Sequence, residues 1–248
     1  MSPSETGNGA PRRRAGGTRG PRSTRDQPPL TATEIIEAGV RLTADRGFPG
    51  WSLRDLAAAL DCWPTAIAHH VGDRNAVEIA VVDAILRRVP MPDPGLPWRP
   101  WFRALLTSLR PVLLAHPGVA RWLGIAAPIV PSATAIIEEG VRRLSAAGFG
   151  AEAPAAYVTL LNAAVHLIAA EDERDAAPRL RDSIRGRLAD LRDDPARPGA
   201  AALAATLTGG WERDQIFTYT VDRTLDGVQA RLTALLAEPG DAGGEQGR

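Results

Sequence analysis

Residues 52–71 read SLRDLAAALDCWPTAIAHHV, and this stretch carries the strongest structural signal in the chain. Ser52 is a preferred N-cap, and the apolar residues after it recur with the spacing of one buried helical face: Leu53, Leu56, Ala57 and Leu60. Pro64 suits the first position of a second helix, because the N–H that proline lacks would be unpaired there. Between the two, Asp61 is of a residue type that adopts a left-handed backbone at modest cost. The stretch therefore predicts two short helices joined by a tight turn.

A supporting helix is predicted on each side of this pair. The first begins after Thr31 or Thr33, stops at Gly47 and has an apolar face formed by Ile35, Ile36, Val40 and Thr43. The last has a single apolar face formed by Val77, Ala80, Val81, Ala84 and Ile85. Short helices arranged in this way are the parts of a DNA-binding helix-turn-helix. An ordinary three-helix core has the same pattern, so geometry alone leaves both interpretations open.

Beyond residue 90 the periodicity stays helical, and no two-residue alternation is long enough for a sheet. Helices are expected over residues 98–115, 132–147 and 152–170, around Leu180, Ile184, Leu188 and Leu191, and from Phe217 to Leu235. Residues 193–210, rich in Asp, Pro, Ala and Gly, are expected to form a long loop. The predicted fold class is all-α, with an N-terminal three-helix helix-turn-helix domain followed by a larger helical domain.

Composition divides the chain into five parts. Residues 1–29 are expected to be a disordered Arg-rich tail, residues 30–89 the helix-turn-helix domain and residues 98–237 the larger helical domain. Residues 90–97 contain four Pro and one Gly and predict a linker. Residues 238–248 are expected to be a second disordered tail.

The overall composition is that of a soluble globular protein. The 248 residues carry 29 arginines, no lysine and 29 acidic residues, so the formal net charge is zero. No uninterrupted apolar run approaches the roughly 18 residues that a membrane helix needs, and the polar N-terminus lacks a signal peptide's apolar core. A single cysteine, Cys62, excludes an intrachain disulfide and a cysteine-cluster metal site. We expect a cytoplasmic protein with no membrane partner.

Charge is distributed unevenly along the chain. Residues 1–30 contain six arginines and two acidic residues, a net charge of +4, whereas residues 31–90 contain six arginines and eight acidic residues, a net charge of −2. A solvated arm and a basic arm that lies along DNA phosphates are both consistent with the first segment. The negative charge of the second segment predicts modest non-specific DNA affinity for that domain alone.

Four motifs carry a family resemblance. Residues 52–74 resemble the DNA-binding half of the tetracycline-repressor (TetR) family, which reads T-x-R-x-L-A-x-x-L-G-V, then a small-residue helix ending L-Y-x-H-V, then x-N-K-x-x-L. Residues 113–120 (LLAHPGVA), 144–149 (LSAAGF) and 225–228 (LDGV) resemble its ligand-binding half. Each motif is weak alone, but their order and spacing make the signal specific. The resemblance implies a ligand-responsive transcriptional repressor that binds a palindromic DNA operator as a homodimer and uses no cofactor.

Carried over residue by residue, the resemblance implies a DNA-binding face. Arg54 occupies the position of an arginine near base edges, and arginine can donate two hydrogen bonds to guanine O6 and N7. Arg74 stands where a lysine contacts phosphate, a contact that fixes register rather than sequence. The other expected DNA contacts lie at the helix cap and on the recognition helix: Ser52, Trp63, Pro64, Thr65, His69 and His70.

Some of these positions have a second interpretation. Arg54 is alternatively a surface arginine paired with a neighbouring aspartate, and Trp63 either stacks on the DNA backbone or packs beside Cys62. Ala68 replaces a frequent tyrosine that contacts the sugar–phosphate backbone, so one anchor is absent. This departure and the negative charge of the domain motivate an alternative function: a helical small-molecule sensor or carrier with a degenerate DNA-binding helix.

A largely apolar small-molecule effector is expected between residues 98 and 172, because aromatic and aliphatic side chains with few polar groups are typical of ligand pockets. The expected ligand contacts are Trp101, Leu105, Leu109, His116, Trp122, Ile125, Ile136, Leu161, Asn162, Val165 and His166. Magnesium-bound tetracycline is not the expected effector, since by resemblance Trp122 stands where tetracycline-binding members carry a metal-coordinating histidine. By the same resemblance, Glu171 matches a carboxylate that lies on the metal side of the bound tetracycline in those members, which is the one point in favour of a tetracycline effector.

Other chemistry is weakly indicated. His116 and His166 lack ligand spacing with any carboxylate, so no metal site is expected. The sequence contains no Ser/His/Asp constellation, Gly-rich phosphate loop or nucleophile elbow, so no enzyme is expected. His166 is interpreted as an interior or pocket-lining histidine. The acidic run at Glu171, Asp172, Glu173 and Asp175 is interpreted as a solvated helix face.

The last predicted helix carries an apolar seam formed by Phe217, Val221, Leu225, Val228 and Leu232, in steps of 4, 4, 3 and 4. This near-heptad spacing suits packing between helices. Together with Val158 on the helix at 152–170, the seam predicts a homodimer interface.

Overall fold

The computed structural model describes residues 29–48, 50–126, 130–210 and 212–237. Within these residues every regular element is a helix, which confirms the all-α prediction. The segments 1–28 and 238–248, predicted as tails, lie outside the described residues.

Four helices form the N-terminal domain: α1 (Ala32–Arg46), α2 (Leu53–Ala59), α3 (Pro64–His70) and α4 (Arg74–Leu86). Local sequence sets their ends. Thr31 caps α1 through a capping box with Glu34, and Ser52 caps α2 in the same way with Asp55. Pro64 occupies the first position of α3, as predicted. Helix α1 packs along α4, and α2 and α3 pack beside α1.

Among the described residues, seven α-helices form the C-terminal domain: α5 (Trp98–Leu114), α6 (Val119–Ala126), α7 (Pro131–Leu144), α8 (Ala153–Ala176), α9 (Pro178–Arg192), α10 (Pro198–Ala205) and α11 (Arg213–Ala237). Helix α8 is central, because it packs against α5, α6, α7 and α11. Fully buried side chains fill the space around it, among them Trp101, Phe102, Leu160 and Ile168. The domain thus has a well-packed core.

One expectation about residues 178–210 is wrong. The predicted loop at 193–210 contains α10, because Pro198 begins a helix that an alanine-rich run, with high helix propensity, then continues. The helix expected around Leu180 and Ile184 is present as α9, with Leu180 61% exposed and Ile184 46% exposed. Helix α9 has no buried residue and packs chiefly against α10.

The apolar seam of α11 lies inside the protomer. Helix α11 packs against α8 and α5, and the seam side chains are all buried within one chain: Phe217, Val221, Leu225, Val228 and Leu232. Their prediction as dimer contacts is therefore wrong, because a side chain already covered within one protomer offers no surface to a second. Val158 on α8 is 51% exposed and remains available.

One apolar stretch, Pro131–Ala176, is long and apolar enough by length and composition to cross a membrane. It is not a single helix, because Gly148 and Gly150 between α7 and α8 have φ of +111° and +54°. The last turns of α8 carry acidic residues, and the earlier turns pack on four neighbouring helices. We therefore interpret α8 as the core helix of its domain.

The two domains meet at the turn between α5 and α6. The Phe48 N–H donates to the Pro117 carbonyl at 2.7 Å, and the Phe48 ring makes an edge contact with Trp122 at 6.2 Å between centroids. A second junction lies at α7, where the Ser132 N–H and hydroxyl donate to the Asp83 carboxylate at 2.8 and 2.7 Å. The helix-turn-helix domain thus contacts the C-terminal domain at two places, the segment after α1 and helix α4.

Candidate DNA-binding face and interdomain cavity

The turn between α2 and α3 has the predicted geometry. Asp61 has φ of +49°, the left-handed conformation expected at this position. Leu56 and Ile67, which are both fully buried, anchor the two helices from below. The opposite side of α3 therefore faces away from the core.

Most predicted DNA contacts lie on this outward side. Arg54, Thr65, His69 and His70 are exposed, and Trp63 is 63% exposed rather than packed into the core; Pro64 is half-buried. Among the described residues, Arg54 has no ion pair. The neighbouring Asp55 instead pairs with Arg46 at 3.2 Å. The Arg54 guanidinium is thus free to donate to a base.

Two further residues of the predicted face have structural roles as well. The Ser52 hydroxyl donates to the Asp55 carboxylate at 2.5 Å and accepts the Asp55 N–H at 3.2 Å, so it fixes the start of α2. The Arg74 side chain pairs with Glu78 at 2.6 Å and donates to the Trp51 carbonyl at 3.4 Å. The Arg74 side chain is nonetheless 45% exposed, so its charge stays accessible.

Several predicted ligand contacts are core residues. Trp101, Leu105, Leu109, Ile136 and Val165 are between 0 and 9% exposed. The Arg143 guanidinium covers the ring of Trp101 at 4.9 Å from the ring centroid. Apolar side chains on packed helices look alike in sequence whether they line a cavity or fill a core, and here they fill the core. None of them lines the cavity described below, and their assignment as ligand contacts stays a prediction.

The predicted histidines also differ from expectation. His116 is buried and places Nδ1 2.7 Å from the Val112 carbonyl, so it closes the end of α5. His166 is exposed on α8, and its interpretation as an interior or pocket-lining residue is wrong. Asn162 is exposed and Leu161 half-buried on the same helix. None of these four side chains is among the walls of the cavity described next.

An open cavity of about 1190 Å³ lies where the two domains meet, and we call it the interdomain cavity. Its walls are the end of α1, the start of α4, the adjoining parts of α5, α6 and α8, and the start of α11. Trp122 and Ile125, both predicted ligand contacts, line it. Phe48, Leu114 and Ala169 extend the apolar wall, and seven carboxylates and five arginines complete it.

An ion network centred on the buried pair Arg110 and Glu171 forms one side of this cavity. Arg110 pairs with Glu171 and with Asp214, each at 2.8 Å, and lies 4.6 Å from the ring centroid of Phe217. Glu171 is only 1% exposed, and Asp175 pairs with Arg213 at 2.7 Å. The interpretation of the acidic run as a solvated face is therefore wrong for Glu171 and for the half-buried Asp172, whereas Glu173 and Asp175 are exposed. Sequence alone does not reveal that Arg110, sixty-one residues away on α5, faces Glu171.

Asp172 has a different environment from its acidic neighbours. Its carboxylate accepts the Gly118 N–H at 2.9 Å. Burial raises the pKa of Asp172 above its usual value, the Gly118 hydrogen bond opposes this, and repulsion from Asp175, Glu171 and Glu173 adds to the rise. The hydrogen bond ties the turn between α5 and α6 to α8.

Within the described parts of the chain, no group of three or more His, Cys, Asp or Glu side chains is arranged to hold a metal ion. The interdomain cavity was missed by sequence reasoning because its walls come from six helices. Two signals pointed toward it: an arginine within the apolar helix α5, and an acidic run at the end of the apolar helix α8.

Comparison with known proteins places these features among related molecules. The family described as tetracyclin repressor-like, C-terminal domain, matches residues 91–232. A curated HTH-type transcriptional regulator from Saccharopolyspora erythraea is 32% identical over 177 residues, which covers 68% of this chain and 75% of that protein.

Two solved structures resemble the whole fold. ActR from Streptomyces coelicolor, solved without ligand, is 25% identical with a TM-score of 0.69 and covers 84% of this chain and 99% of its own. BioQ from Mycobacterium smegmatis is 24% identical with a TM-score of 0.63 and covers 81% of this chain and 98% of its own. Complexes of ActR with actinorhodin and of BioQ with its double-stranded DNA operator match at TM-scores of 0.69 and 0.54, with 25% and 26% identity. The match to the actinorhodin complex of ActR covers 83% of this chain, and the match to the DNA complex of BioQ covers 70% of it. Each match covers 99% of the neighbour's chain.

Proposed function

The chain belongs to the tetracycline-repressor (TetR) family of transcriptional regulators, and we propose that it is a cytoplasmic repressor released from DNA by a small-molecule effector. In this proposal it binds a palindromic operator as a homodimer, because a two-fold protein matches two half-sites of opposite direction.

One observation carries the proposal: Arg54 and the outward residues of α3 form an exposed face on a helix-turn-helix, and Arg54 is not neutralised by a neighbouring acid among the described residues. An exposed arginine beside a recognition helix suits bidentate recognition of guanine. Thr65 and His69 add hydrogen-bonding groups on the same side. Arg74 contributes a phosphate contact.

The solved relatives support both halves of the proposal. ActR has been solved in complex with (S)-DNPA and with actinorhodin, and BioQ with its double-stranded DNA operator. The interdomain cavity of this chain, with a volume of about 1190 Å³, is large enough for a drug-sized molecule.

The test is binding of the full chain to the DNA upstream of its own gene, measured by electrophoretic shift and fluorescence anisotropy. We expect Arg54→Ala and His69→Ala each to cost about 1–3 kcal/mol on that DNA and to change binding to a scrambled duplex little. Arg187→Ala is the matched control, because Arg187 is exposed on α9.

The alternative, a sensor or carrier with a degenerate DNA-binding helix, makes the opposite prediction. A wild-type protein that binds the upstream DNA no better than the scrambled duplex would favour it. Specific binding that neither Arg54→Ala nor His69→Ala weakens would instead mean that the recognition surface lies elsewhere.

A further inference from the structure

We infer that the effector occupies the interdomain cavity and is an amphipathic cation, an apolar ring system carrying a protonated amine. This inference rests on the proposed function in assuming that the bound molecule acts on DNA binding. The site overlaps the region between residues 98 and 172 that the sequence predicts, at Trp122 and Ile125, but it extends into the helix-turn-helix domain and does not include the buried Trp101 and Leu105.

The position of the cavity gives a ligand access to both domains. Phe48 and the end of α1 form one wall, Arg74 and Glu78 of α4 another, and α6 and α8 the opposite side. A molecule that fills this space contacts helix-turn-helix residues and C-terminal residues at once. Such a ligand binds one relative orientation of the two domains more tightly than others. It therefore shifts the equilibrium between orientations, which can change the affinity for DNA.

The charges in the walls favour a cation. Each of the five wall arginines is already paired with a carboxylate: Arg46 with Asp55, Arg74 with Glu78, Arg110 with Glu171 and Asp214, Arg121 with Glu173, and Arg213 with Asp175. Within the described residues two wall carboxylates have no ion pair, Asp45 at the exposed rim and the half-buried Asp172. An anion would therefore find no free arginine, whereas an ammonium group would find an unpaired carboxylate.

Asp172 is the strongest anchor for that ammonium group. The charges that act on it are all negative, those of Asp175, Glu171 and Glu173, and its hydrogen bond comes from the neutral Gly118 N–H. A cation beside it relieves this repulsion and gains a charge-assisted hydrogen bond in a partly desolvated site.

The apolar wall suits the rest of such a molecule. Trp122 is half-buried against the ring of Phe48, and Ile125 is 83% exposed at the cavity. A ring system placed here covers Ile125 and lies against an indole, whose face also attracts cations. Apolar and anionic groups thus line one space, the arrangement that an amphipathic cation matches.

The same contacts suggest how binding reaches the DNA-binding domain. Asp172 holds the Gly118 N–H, and the adjacent Pro117 carbonyl accepts the Phe48 N–H. A ligand that binds the Asp172 carboxylate competes with its hydrogen bond to the Gly118 N–H. The turn between α5 and α6 then shifts, and so does Phe48, which is hydrogen-bonded to that turn and lies between α1 and α2.

The test uses three probes with one ring and three charges: 1-naphthylmethylammonium, neutral 1-naphthalenemethanol and 1-naphthoate. Binding of each to the full chain is measured by calorimetry at pH 7. We expect the ammonium probe to bind about tenfold or more tightly than the alcohol, and the carboxylate probe to bind most weakly. In the presence of the ammonium probe, binding to the upstream DNA should weaken.

Two substitutions make the result specific to the cavity. Asp172→Asn keeps an oxygen for the Gly118 N–H and removes the charge, so it should reduce ammonium binding to the level of the alcohol without lowering the unfolding temperature. Asp190→Asn, on the exposed side of α9, is the matched control and should change nothing. Trp122→Leu should weaken the ammonium probe and the alcohol alike.

The outcomes separate this inference from the proposed function. Equal binding of ammonium and alcohol, or ammonium binding that survives Asp172→Asn, would overturn the inference even if the protein binds operator DNA. Asp172-dependent ammonium binding by a protein that shows no specific DNA binding would support the cavity assignment and reject the repressor proposal.

Discussion

Gly118 lies where the turn between α5 and α6 packs closely against Phe48 of the helix-turn-helix domain. Its φ of +86° lies in the left-handed region, and a Cβ built there would be 1.9 Å from the Phe48 carbonyl oxygen. Its N–H is held by Asp172, and the preceding carbonyl, that of Pro117, accepts the Phe48 N–H. Glycine is required here by backbone conformation and by space, two independent reasons.

We therefore expect Gly118→Ala to lower the free energy of unfolding by about 2–4 kcal/mol, since it combines backbone strain with a steric clash. The matched control is Gly186→Ala within α9, where a Cβ meets nothing within 4 Å. That change should raise stability by about 0.5–1 kcal/mol, because alanine is the better helix former. Urea unfolding of both variants measures the difference. A Gly118→Ala protein as stable as the wild type would mean that the domains do not pack as described.

The acidic run shows what single residues disclose in sequence and what they do not. The sequence shows that the run is negatively charged, but it does not show the partners. Glu171 is buried against Arg110, and Asp172 accepts the backbone N–H of Gly118 in the turn between α5 and α6. Helix caps and turn residues are different, because their partners lie within a few positions. For that reason Ser52 and Asp61 were predicted correctly and Thr31 was one of the two N-caps expected for α1, whereas the wall of the cavity was not predicted.

At the level of whole helices, periodicity identifies a buried face but not the element that covers it. The regular steps from Phe217 to Leu232 suggested a partner subunit, yet α8 and α5 of the same chain cover them. Conversely, α9 has helical periodicity and no buried residue. Sequence therefore predicted the all-α class and most helices, whereas the partner of each apolar face depends on tertiary packing.

This distinction gives a prediction for the homodimer. Leu225→Glu places an unpaired charge at a fully buried position, so it should unfold the protomer rather than separate two folded ones. Val158→Glu, at a 51% exposed position on α8, should leave the fold intact and convert the dimer to a monomer. Leu180→Glu on α9, 61% exposed, is the control that should leave both unchanged.

Light scattering and circular dichroism decide between these outcomes. The wild type should scatter as about twice the 26.3 kDa chain mass, and the Val158→Glu variant as one chain with wild-type helicity. A wild-type monomer at micromolar concentration would refute the dimer itself. A Val158→Glu variant that remains dimeric would instead place the interface on another surface.

Across the whole molecule, the charge that would attract DNA is separated from the helix-turn-helix. Residues 31–90 have a net charge of −2, and the compensating +4 lies in residues 1–30. Attraction to phosphates is largely independent of sequence and decreases as salt increases. Base contacts by Arg54 and His69 are expected to supply specificity instead. The two contributions therefore belong to different parts of the chain and can be separated experimentally.

Deletion of residues 1–28 should accordingly weaken binding to operator and scrambled DNA by similar factors. If all four net charges of this segment reach phosphates, the slope of log affinity against log salt concentration should fall by about three to four per protomer. Replacing the six arginines of the segment by glutamine, at unchanged length, leaves only its two acidic residues charged, so it should lower the slope at least as much; it is the control for loss of chain itself. Anisotropy titrations from low to high salt measure both slopes. An unchanged slope would show that the segment makes no phosphate contact. A selective loss of operator binding would show that the segment takes part in sequence recognition, through base edges or DNA shape.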